Sequence, residues 1–499
     1  MSVNKPERGV NPSRNEQRLG AGRIQFDEPG MRQLFAHAAN VSEYMVPTVG
    51  RQIDGTPHLP FNRATGEIYL PYEFVAPNTH SVAEQAWFAR LFPFDSVFIV
   101  KSLTASGQPE NLDLARKQVE NLTIEQATFG FIPNENDLTF LNRSQAPFLT
   151  TMIFDVYEAM EKQGDPTAKT WLEQQMYQAQ DEYHSSWMIT EQESQRRGRR
   201  NPNHRPSADL RLLRFSTRDV PGDHYGTAGE SAFDENSGTA GRTGDFYHVL
   251  LDFAMWRYEK DFARAARILG KTEDDGFRSP AYWESEATAR AKEIETFHWD
   301  EANGFYFHYD LALGQKNTSH YELTAYLPMF FDYFDPIADR EKTDALVAQL
   351  KRFETPLGLM IGDKSSVVTG GQINQVLQAM EAAGIDTRWQ PSVKDLLGRK
   401  QWDAPNMWAP MTYFTVAGLL KYGYVEDATR IMEKSLRSYA YYLEKHGTLP
   451  EKMRIDENVP QDGENFKYPD QKGFAWTNAV VMLFKYMLED IYAQRAQAA

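Results

Sequence analysis

Residues 229–238 hold the side chains of this sequence most suited to acid chemistry. Glu230, Asp234 and Glu235 share the stretch with Phe233, and a glycine stands at each end. A solvated acidic turn is the ordinary interpretation of such a composition. The alternative is a carboxylic acid held beside an aromatic ring, which can stay protonated and donate its proton to a substrate. The stretch alone leaves both interpretations open.

Four other segments interleave amide, guanidinium and carboxylate side chains with tryptophan and phenylalanine. They lie at residues 87–95, 132–147, 401–410 and, for the fourth, 447–452 together with 472–478. Such polar groups hydrogen bond to hydroxyls, while aromatic faces stack on the apolar face of a sugar ring. Each segment alone is as easily explained by helix capping or core packing. Together they favour a site for a neutral, polyhydroxylated ligand.

The elements that must position these segments are predicted to be helices. Apolar residues recur at i, i+3, i+4 and i+7 in most of the chain beyond residue 82. The predicted helices span 84–106, 110–127, 147–163, 166–188, 244–270, 282–297, 319–334, 338–353, 371–384, 409–423, 426–445 and 473–495. Residues 297–310 are an exception, because Asn303-Gly304 between aromatic runs predicts a tight β-hairpin.

This pattern predicts an all-α fold in which the unusual residues lie on the loops. We expect a toroid, with an inner and an outer ring of helices and an active site formed by long loops at one open end. A helical solenoid is the alternative, but the sequence shows no repeat of fixed period.

The composition excludes several classes of protein. The chain has 499 residues, 41% of them hydrophobic, and its net charge of −16 argues against nucleic acid as a partner. The absence of cysteine excludes disulfides, thiol nucleophiles and thiolate metal sites. Because no apolar run is long enough for a signal peptide or a membrane-spanning helix, we expect a cytoplasmic protein without a membrane partner.

One catalytic domain is predicted over residues 25–499, after a flexible polar tail at 1–24. Within this domain, residues 25–80 are rich in proline and are predicted to form a loop-rich N-terminal extension. We expect a helix near residues 31–45 and a small hairpin in this extension.

Several motifs of the sequence resemble those of the trehalase family, glycoside hydrolase family 37, and of its relatives in family 63. Residues 401–410 match the signature QWDxPNxWAP at every fixed position. The other resemblances are 134–147 to IPN…SRSQPP, 229–234 to AESGWD, 299–310 to WDxxxGxWYDYD, 449–452 to VEKY and 473–478 to GFGWTN. The likeness covers patches of residues 85–490 and implies an (α/α)6 toroid.

The resemblance also implies an inverting glycosidase that needs no metal or organic cofactor. Asp234 would be the general acid and Glu451 the general base, which in inverting enzymes stand roughly 6.5–9.5 Å apart. Glu230 would support them as a hydrogen-bond partner, and Glu235 would be a solvated acid. The implied substrate-binding residues are Phe88, Asp95, Asn134, Arg143, Gln145, Arg205, Glu230, Trp402, Asp403, Asn406, Trp408, Lys472, Phe474 and Trp476.

Departures from the family motifs concentrate where a leaving group would bind. The first signature, PGGRFREFYYWDSYF, is largely lost: its Arg aligns with Trp87 and its Trp with Phe94. The Glu of GPRPES becomes Ser207, and the acid before GFGWTN becomes Lys472. An additional segment of roughly 25 residues precedes residue 401. The loss of two acids points to a leaving group smaller than glucose, such as glycerol, or glycerate with its carboxylate near Lys472 or Arg205.

The sequence therefore predicts an inverting hydrolase of a small soluble α-glucoside. Glucosylglycerol or glucosylglycerate, both compatible solutes, is the first expectation for the substrate, and α,α-trehalose is the alternative. A sugar-binding protein without catalysis on the same fold is a lesser alternative. Retention of both carboxylates, Asp234 and Glu451, favours the enzyme.

Overall fold

The computed structural model describes residues 23–48, 59–80, 88–190, 204–217, 224–234, 236–239, 241–272, 276–366, 401–463 and 471–498, together with Gln378 and Ala382. Outside them lie nearly all of the predicted tail, most of the predicted helix at 371–384, and two residues singled out above, Trp87 and Glu235.

Helices dominate the described residues. They are α1 (Pro29–Ala38), α2 (Pro93–Ala105), α3 (Pro109–Phe129), α4 (Leu149–Gln163), α5 (Ala168–Glu182), α6 (His224–Glu230), α7 (Val249–Leu269), α8 (Pro280–Phe297), α9 (Leu327–Phe330), α10 (Arg340–Ala348), α11 (Ala409–Lys421), α12 (Val425–His446) and α13 (Ala475–Ala498).

A closed inner ring is formed by α2, α4, α7, α9, α11 and α13, each packed on the next, with α13 packed back on α2. The outer ring consists of α3, α5, α8, α10, α12 and α1. Most outer helices follow their inner partner along the chain, whereas α1 precedes all others and packs between α12 and α13. The fold is the predicted (α/α)6 toroid, and ring closure excludes the solenoid.

The sequence pattern explains which helices lie inside. Almost every residue of α11 is buried, because its sequence is apolar on all sides and both flanks are covered by neighbours. In α12 the buried residues form one stripe, which includes Ile431, Leu436 and Leu443, and charged residues cover the remaining faces. Close packing inside also needs small residues: a Cβ at Gly418 of α11 would lie 2.7 Å from the Cβ of Met329 in α9.

Short strands brace the loops at the ends of these helices. They are β1 (Met45–Val46), β2 (Phe74–Val75), β3 (Phe246–Tyr247), β4 (Trp299–Asp300), β5 (Phe305–Tyr306), β6 (Tyr309–Asp310), β7 (Gln315–Lys316), β8 (Glu354–Thr355), β9 (Gly358–Leu359), β10 (Asn406–Trp408), β11 (Lys452–Arg454) and β12 (Gln461–Asp462). The antiparallel pair β4–β5 is the hairpin predicted at 297–310. A sheet of β10, β11 and β12 joins two of the predicted site segments.

Several predicted helix boundaries were wrong at their amino-terminal ends. The helix expected at 84–106 begins at Pro93, because proline fits only the first turn of a helix and pushes the preceding residue out of helical geometry. The helix expected at 244–270 begins at Val249, since residues 246–247 form β3. The span 319–334 contains only a 3-10 turn, Leu323–Tyr326, and the single turn α9.

No helix among the described residues combines the length and apolar character that a membrane crossing needs.

Candidate active site

The predicted site segments meet at the amino-terminal ends of the inner helices. Asp95 lies in the first turn of α2, and Gln145 lies shortly before α4. The backbone N–H of Phe94 donates to Oε1 of Gln145 at 2.9 Å, so Gln145 satisfies one of the free donors at the start of α2. Trp408 immediately precedes α11, and Phe474 immediately precedes α13. One end of the inner ring therefore collects residues that are far apart in the sequence.

Asp234 lies in the loop after α6 and is half-buried. Its backbone carbonyl accepts a hydrogen bond from Nε2 of Gln401 at 3.1 Å. Two residues earlier, Ala232 has φ of 61°, a left-handed conformation that costs a residue with a side chain roughly 1–2 kcal/mol. Phe233 is buried, and its ring lies 4.3 Å from that of Trp402. The carboxyl of Asp234 is thus carried by a sharply turned and firmly held loop.

Glu451 is buried and lies immediately before β11. Its backbone N–H donates to the carbonyl of Gln471 at 3.1 Å, and its own carbonyl accepts from Nε1 of Trp476 at 2.9 Å. Its Oε2 lies 2.9 Å from Nζ of Lys452, whose side chain is also buried. This buried ion pair fixes the orientation of the Glu451 carboxylate.

Lys452 is a site residue that sequence reasoning missed, although the VEKY-like motif contains it. Its Nζ lies 4.9 Å from the ring centroid of Trp408, directly across the β10–β11 pair. Lysine is almost never fully buried without a partner. Its position next to Glu451, between Leu449 and Met453, was the signal that a buried ion pair forms there.

Asp95 lies close enough to Glu451 for their charges to interact. Burial raises the pKa of the Asp95 carboxyl well above its ordinary value, and the charges of Glu451 and Glu135 raise this pKa further. The Asp95 carboxyl therefore stays protonated to a higher pH than an exposed aspartate does. A protonated carboxyl donates a hydrogen bond, which a sugar hydroxyl or a carboxylate can accept.

A series of buried or partly buried aromatic rings extends from the loop of Asp234 to the segment 472–478, whose Trp476 bonds to the carbonyl of Glu451. Neighbouring rings are in contact in the order Phe233, Trp402, Trp408, Trp476, Phe474 and Phe88. Trp402 and Trp408 are stacked, with centroids 3.6 Å apart and planes within 6° of parallel. Stacked on each other and buried, Trp402 and Trp408 form a rigid apolar wall beside the two carboxylate-bearing segments.

Three buried polar atoms beside these rings hydrogen bond to nothing among the described residues: Oδ1 of Asp95, Oε1 of Gln401 and Nε1 of Trp402. Buried polar atoms without a partner are rare in proteins, and at a site they are the atoms that a ligand or water satisfies. A polyhydroxylated ligand would supply such partners.

The segment 132–147 is bonded to α6, the helix that precedes the loop of Asp234. Nδ2 of Asn134 donates to the carbonyls of Ser144 and Gly229, both at 3.1 Å. The guanidinium of Arg143 lies 4.5 Å from the ring of Phe140, and a Cβ at Gly229 would lie 3.2 Å from its Nε. The amide of Asn134 is thus engaged with backbone, and the glycine gives Arg143 room beside α6.

Glu230 is completely buried and connects three loops. Its Oε1 accepts from the backbone N–H of Ser144 at 3.0 Å, and its Oε2 accepts from that of Ser216 at 2.7 Å and lies 3.1 Å from Nε2 of His204. These contacts occupy both carboxylate oxygens, so Glu230 positions its neighbours.

The signature 401–410 is bonded largely to itself and to the acid-bearing loop. Nδ2 of Asn406 and Nε1 of Trp408 both donate to the carbonyl of Gln401, at 2.9 and 2.8 Å. Oδ1 of Asp403 accepts from the backbone N–H and the hydroxyl of Ser237, at 3.0 and 2.9 Å.

A family model described as "Trehalase" matches residues 25–211 and 227–489. The chain belongs to the trehalase family. The cytosolic neutral trehalase of Emericella nidulans is 28% identical over 467 residues, which cover 82% of this chain and 57% of that protein. The probable trehalase of Eremothecium gossypii is 27% identical over 464 residues, with coverage of 82% and 58%. This chain spans less than two thirds of the length of these relatives.

Solved structures with this fold include a trehalase. The neutral trehalase of Saccharomyces cerevisiae superimposes with a TM-score of 0.65 at 22% identity, over 86% of this chain and 76% of that one. The family 63 mannosylglycerate hydrolase of Thermus thermophilus, in complex with glucose, superimposes with a TM-score of 0.54 at 15% identity. The match covers 83% of this chain and 95% of that one. Both likenesses support the toroid.

Arg205 and Lys472, the two cations expected near a leaving group in this trehalase-family chain, contact other groups. Nη2 of Arg205 donates to the carbonyls of Ala208 and Leu210, at 2.8 and 3.1 Å. The side chain of Lys472 is 45% exposed, and its Nζ lies 3.7 Å from Oδ2 of Asp462. Neither contact joins these cations to the acid, the base or the aromatic series.

Proposed function

We propose that this chain is an inverting glycoside hydrolase that cleaves a small soluble α-glucoside, with α,α-trehalose as its substrate. The observation that carries the proposal is the linkage of the two carboxylate-bearing segments at one end of the toroid. Gln401 bonds to the carbonyl of Asp234 and to Trp408, whose ring faces Lys452, and Lys452 pairs with Glu451. Inverting hydrolysis requires an acid and a base on opposite sides of the scissile bond, and this linkage supports that role for Asp234 and Glu451.

In this mechanism the carboxyl of Asp234 donates its proton to the glycosidic oxygen as the bond from the anomeric carbon breaks. The carboxylate of Glu451 takes a proton from a water molecule, whose oxygen attacks the anomeric carbon from the opposite face. The leaving sugar departs as a neutral alcohol, and the new hydroxyl has the β configuration. The proton balance leaves Asp234 ionised and Glu451 protonated, and exchange with solvent restores both.

The choice of trehalose over glucosylglycerol rests on family and relatives. The earlier expectation of glycerol or glycerate came from Lys472 and Ser207 standing where the family has acids. Lys472 and Arg205 contact other groups, which weakens the case for a glycerate carboxylate beside them. The relatives are named trehalases, which favours a second glucose as the leaving group.

We also propose that residues 25–499 act as one catalytic domain without a cofactor, in the cytoplasm. The packing of α1 against α12 and α13 supports the single domain, because residues near both ends of the chain complete the same ring. The name of the Emericella relative places that protein in the cytosol and supports the location.

A substrate panel tests the proposal. Purified protein is assayed for glucose release from trehalose, glucosylglycerol and glucosylglycerate, with Asp234→Asn as the matched inactive control. We expect the highest kcat/KM for trehalose. A higher value for glucosylglycerol would restore the compatible-solute hypothesis. Binding of trehalose in calorimetry without hydrolysis of any member would favour the non-catalytic sugar-binding alternative.

A further inference from the structure

The loop that follows Asp234 is held by side chains from distant parts of the chain. Nδ2 of Asn236 donates to Oε2 of Glu322 at 2.9 Å. Ser237 donates twice to Asp403, and Gln401 donates to the carbonyl of Asp234. Asp403 and Gln401 belong to the family signature. Glu322 lies outside the predicted motifs and has no assigned role.

Glu322 is buried in a polar cluster that fixes its carboxylate. Nε2 of His308 lies 2.7 Å from Oε1 of Glu322, and the hydroxyl of Thr324 donates to the same oxygen. On the other side of the carboxylate, Nε2 of His320 lies 3.6 Å from Oε2. The backbone N–H of Val249, the first residue of α7, donates to Nδ1 of His308 at 3.1 Å. Since Nδ1 is the acceptor, the proton of a neutral His308 is on Nε2 and points at Glu322.

The charge on Glu322 is stable in this setting. Burial opposes ionisation, but the hydrogen bond from His308 and the charge of His320 hold the pKa of the Glu322 carboxyl well below its ordinary value. A carboxylate is a stronger acceptor for the amide of Asn236 than a neutral group would be.

The fit between the loop and this cluster is close. A Cβ at Gly238 would lie 2.4 Å from Cδ2 of His320 and 2.7 Å from Oδ1 of Asn236, so only glycine allows this approach. The cavity lined by Phe233 and Glu322 offers about 10 Å³ to the centre of a water molecule, which is room for one water at most. The loop therefore has little room to move toward the cluster.

We propose that Glu322 is a positioning residue for the general acid: by holding Asn236 it fixes the loop that presents the Asp234 carboxyl to the glycosidic oxygen. The inference rests on the proposed function, in which Asp234 is that acid. A proton donor must lie within hydrogen-bond reach of the oxygen it protonates, and a displacement of 1 Å can cost about 100-fold in rate.

Substrates that differ in their leaving group separate this role from a general structural one. Trehalose leaves as an alcohol and needs a proton from the acid as its bond breaks. α-Glucosyl fluoride leaves as fluoride, a weak base that departs with little protonation. A misplaced acid therefore slows hydrolysis of trehalose and leaves hydrolysis of the fluoride nearly unchanged, whereas a damaged fold slows both.

The experiment compares kcat for both substrates in the wild-type protein, in Glu322→Gln and in Asn236→Ala. We expect kcat on trehalose to fall about 10- to 100-fold in each variant, with KM little changed and with activity on the fluoride nearly retained. Asn236→Ala removes only the side chain that Glu322 holds, and it carries the test if Glu322→Gln does not fold.

Asp261→Asn is the control. Asp261 is a buried acid of α7, ion-paired with Arg257 at 2.8 Å, and it lies about 18 Å along the helix from Val249. We expect any loss in this variant to be equal for both substrates. Equal losses on both substrates in Glu322→Gln and Asn236→Ala would overturn the positioning role. A wild-type protein that hydrolyses neither substrate would refute the proposed function instead.

Discussion

Removal of either partner of the Lys452–Glu451 ion pair is predicted to destabilise the fold strongly. Nζ and Oε2 are 2.9 Å apart, and the side chains are 1% and 3% exposed. At this distance and an effective dielectric constant of about 20, their attraction is about 6 kcal/mol, most of which offsets the cost of burying the charges. Lys452→Met or Glu451→Gln leaves the other charge buried without its partner, which costs about 3–5 kcal/mol.

The double variant, with both substitutions, removes both charges and should lose less stability than the two single variants added together. We expect a coupling energy of about 1–3 kcal/mol from urea denaturation of the four proteins. Glu451→Gln should also lose about 10²–10⁴ in kcat, because the base is gone, and the double variant should regain stability without regaining activity. A coupling energy below about 0.5 kcal/mol would refute the reasoning, since the pair would then be solvated.

Two further variants test the acid and a neighbouring buried carboxyl. Asp234→Asn should lower kcat on trehalose about 10²–10⁴-fold, measured by glucose release, and near-full activity would exclude Asp234 as the acid. Burial raises the pKa of Glu135 to about 8, so the folded protein holds a proton that the unfolded chain releases above its ordinary pKa of 4.5. Stability is therefore lost as pH rises from 4.5 to 8. Glu135→Gln should remove this loss. In urea denaturation, the free energy of unfolding should rise by at most about 5 kcal/mol at pH 8 and should not change below pH 4. An equal gain at both pH values would contradict this explanation.

The sequence predicted the toroid because about twelve amphipathic helices are joined by loops that carry the unusual residues, and because its motifs resemble those of the trehalase family. The signature 401–410 was recognisable because all its fixed positions are present, and its internal bonds join residues only a few positions apart. Such local regularities are visible in a single sequence.

Long-range partners were not visible in the same way. The role of α1 as an outer helix depends on contacts between the two ends of the chain, such as the bond from the backbone N–H of Ile24 to the hydroxyl of Tyr492 at 3.1 Å. Glu322 was passed over because two of the side chains that hold it, His308 and Asn236, lie on other segments. Residue type identified Arg205 and Lys472 as candidate ligands for an anion, but the direction of each side chain is set by neighbours that only the fold supplies.

The most direct test of the central claim is the anomeric configuration of the first product. Proton NMR during the first minutes of trehalose hydrolysis, before mutarotation, resolves the two anomers of glucose. Inversion by Asp234 and Glu451 predicts β-glucose and α-glucose in equal amounts, because one ring is inverted and the other leaves unchanged. The appearance of α-glucose alone would contradict the account.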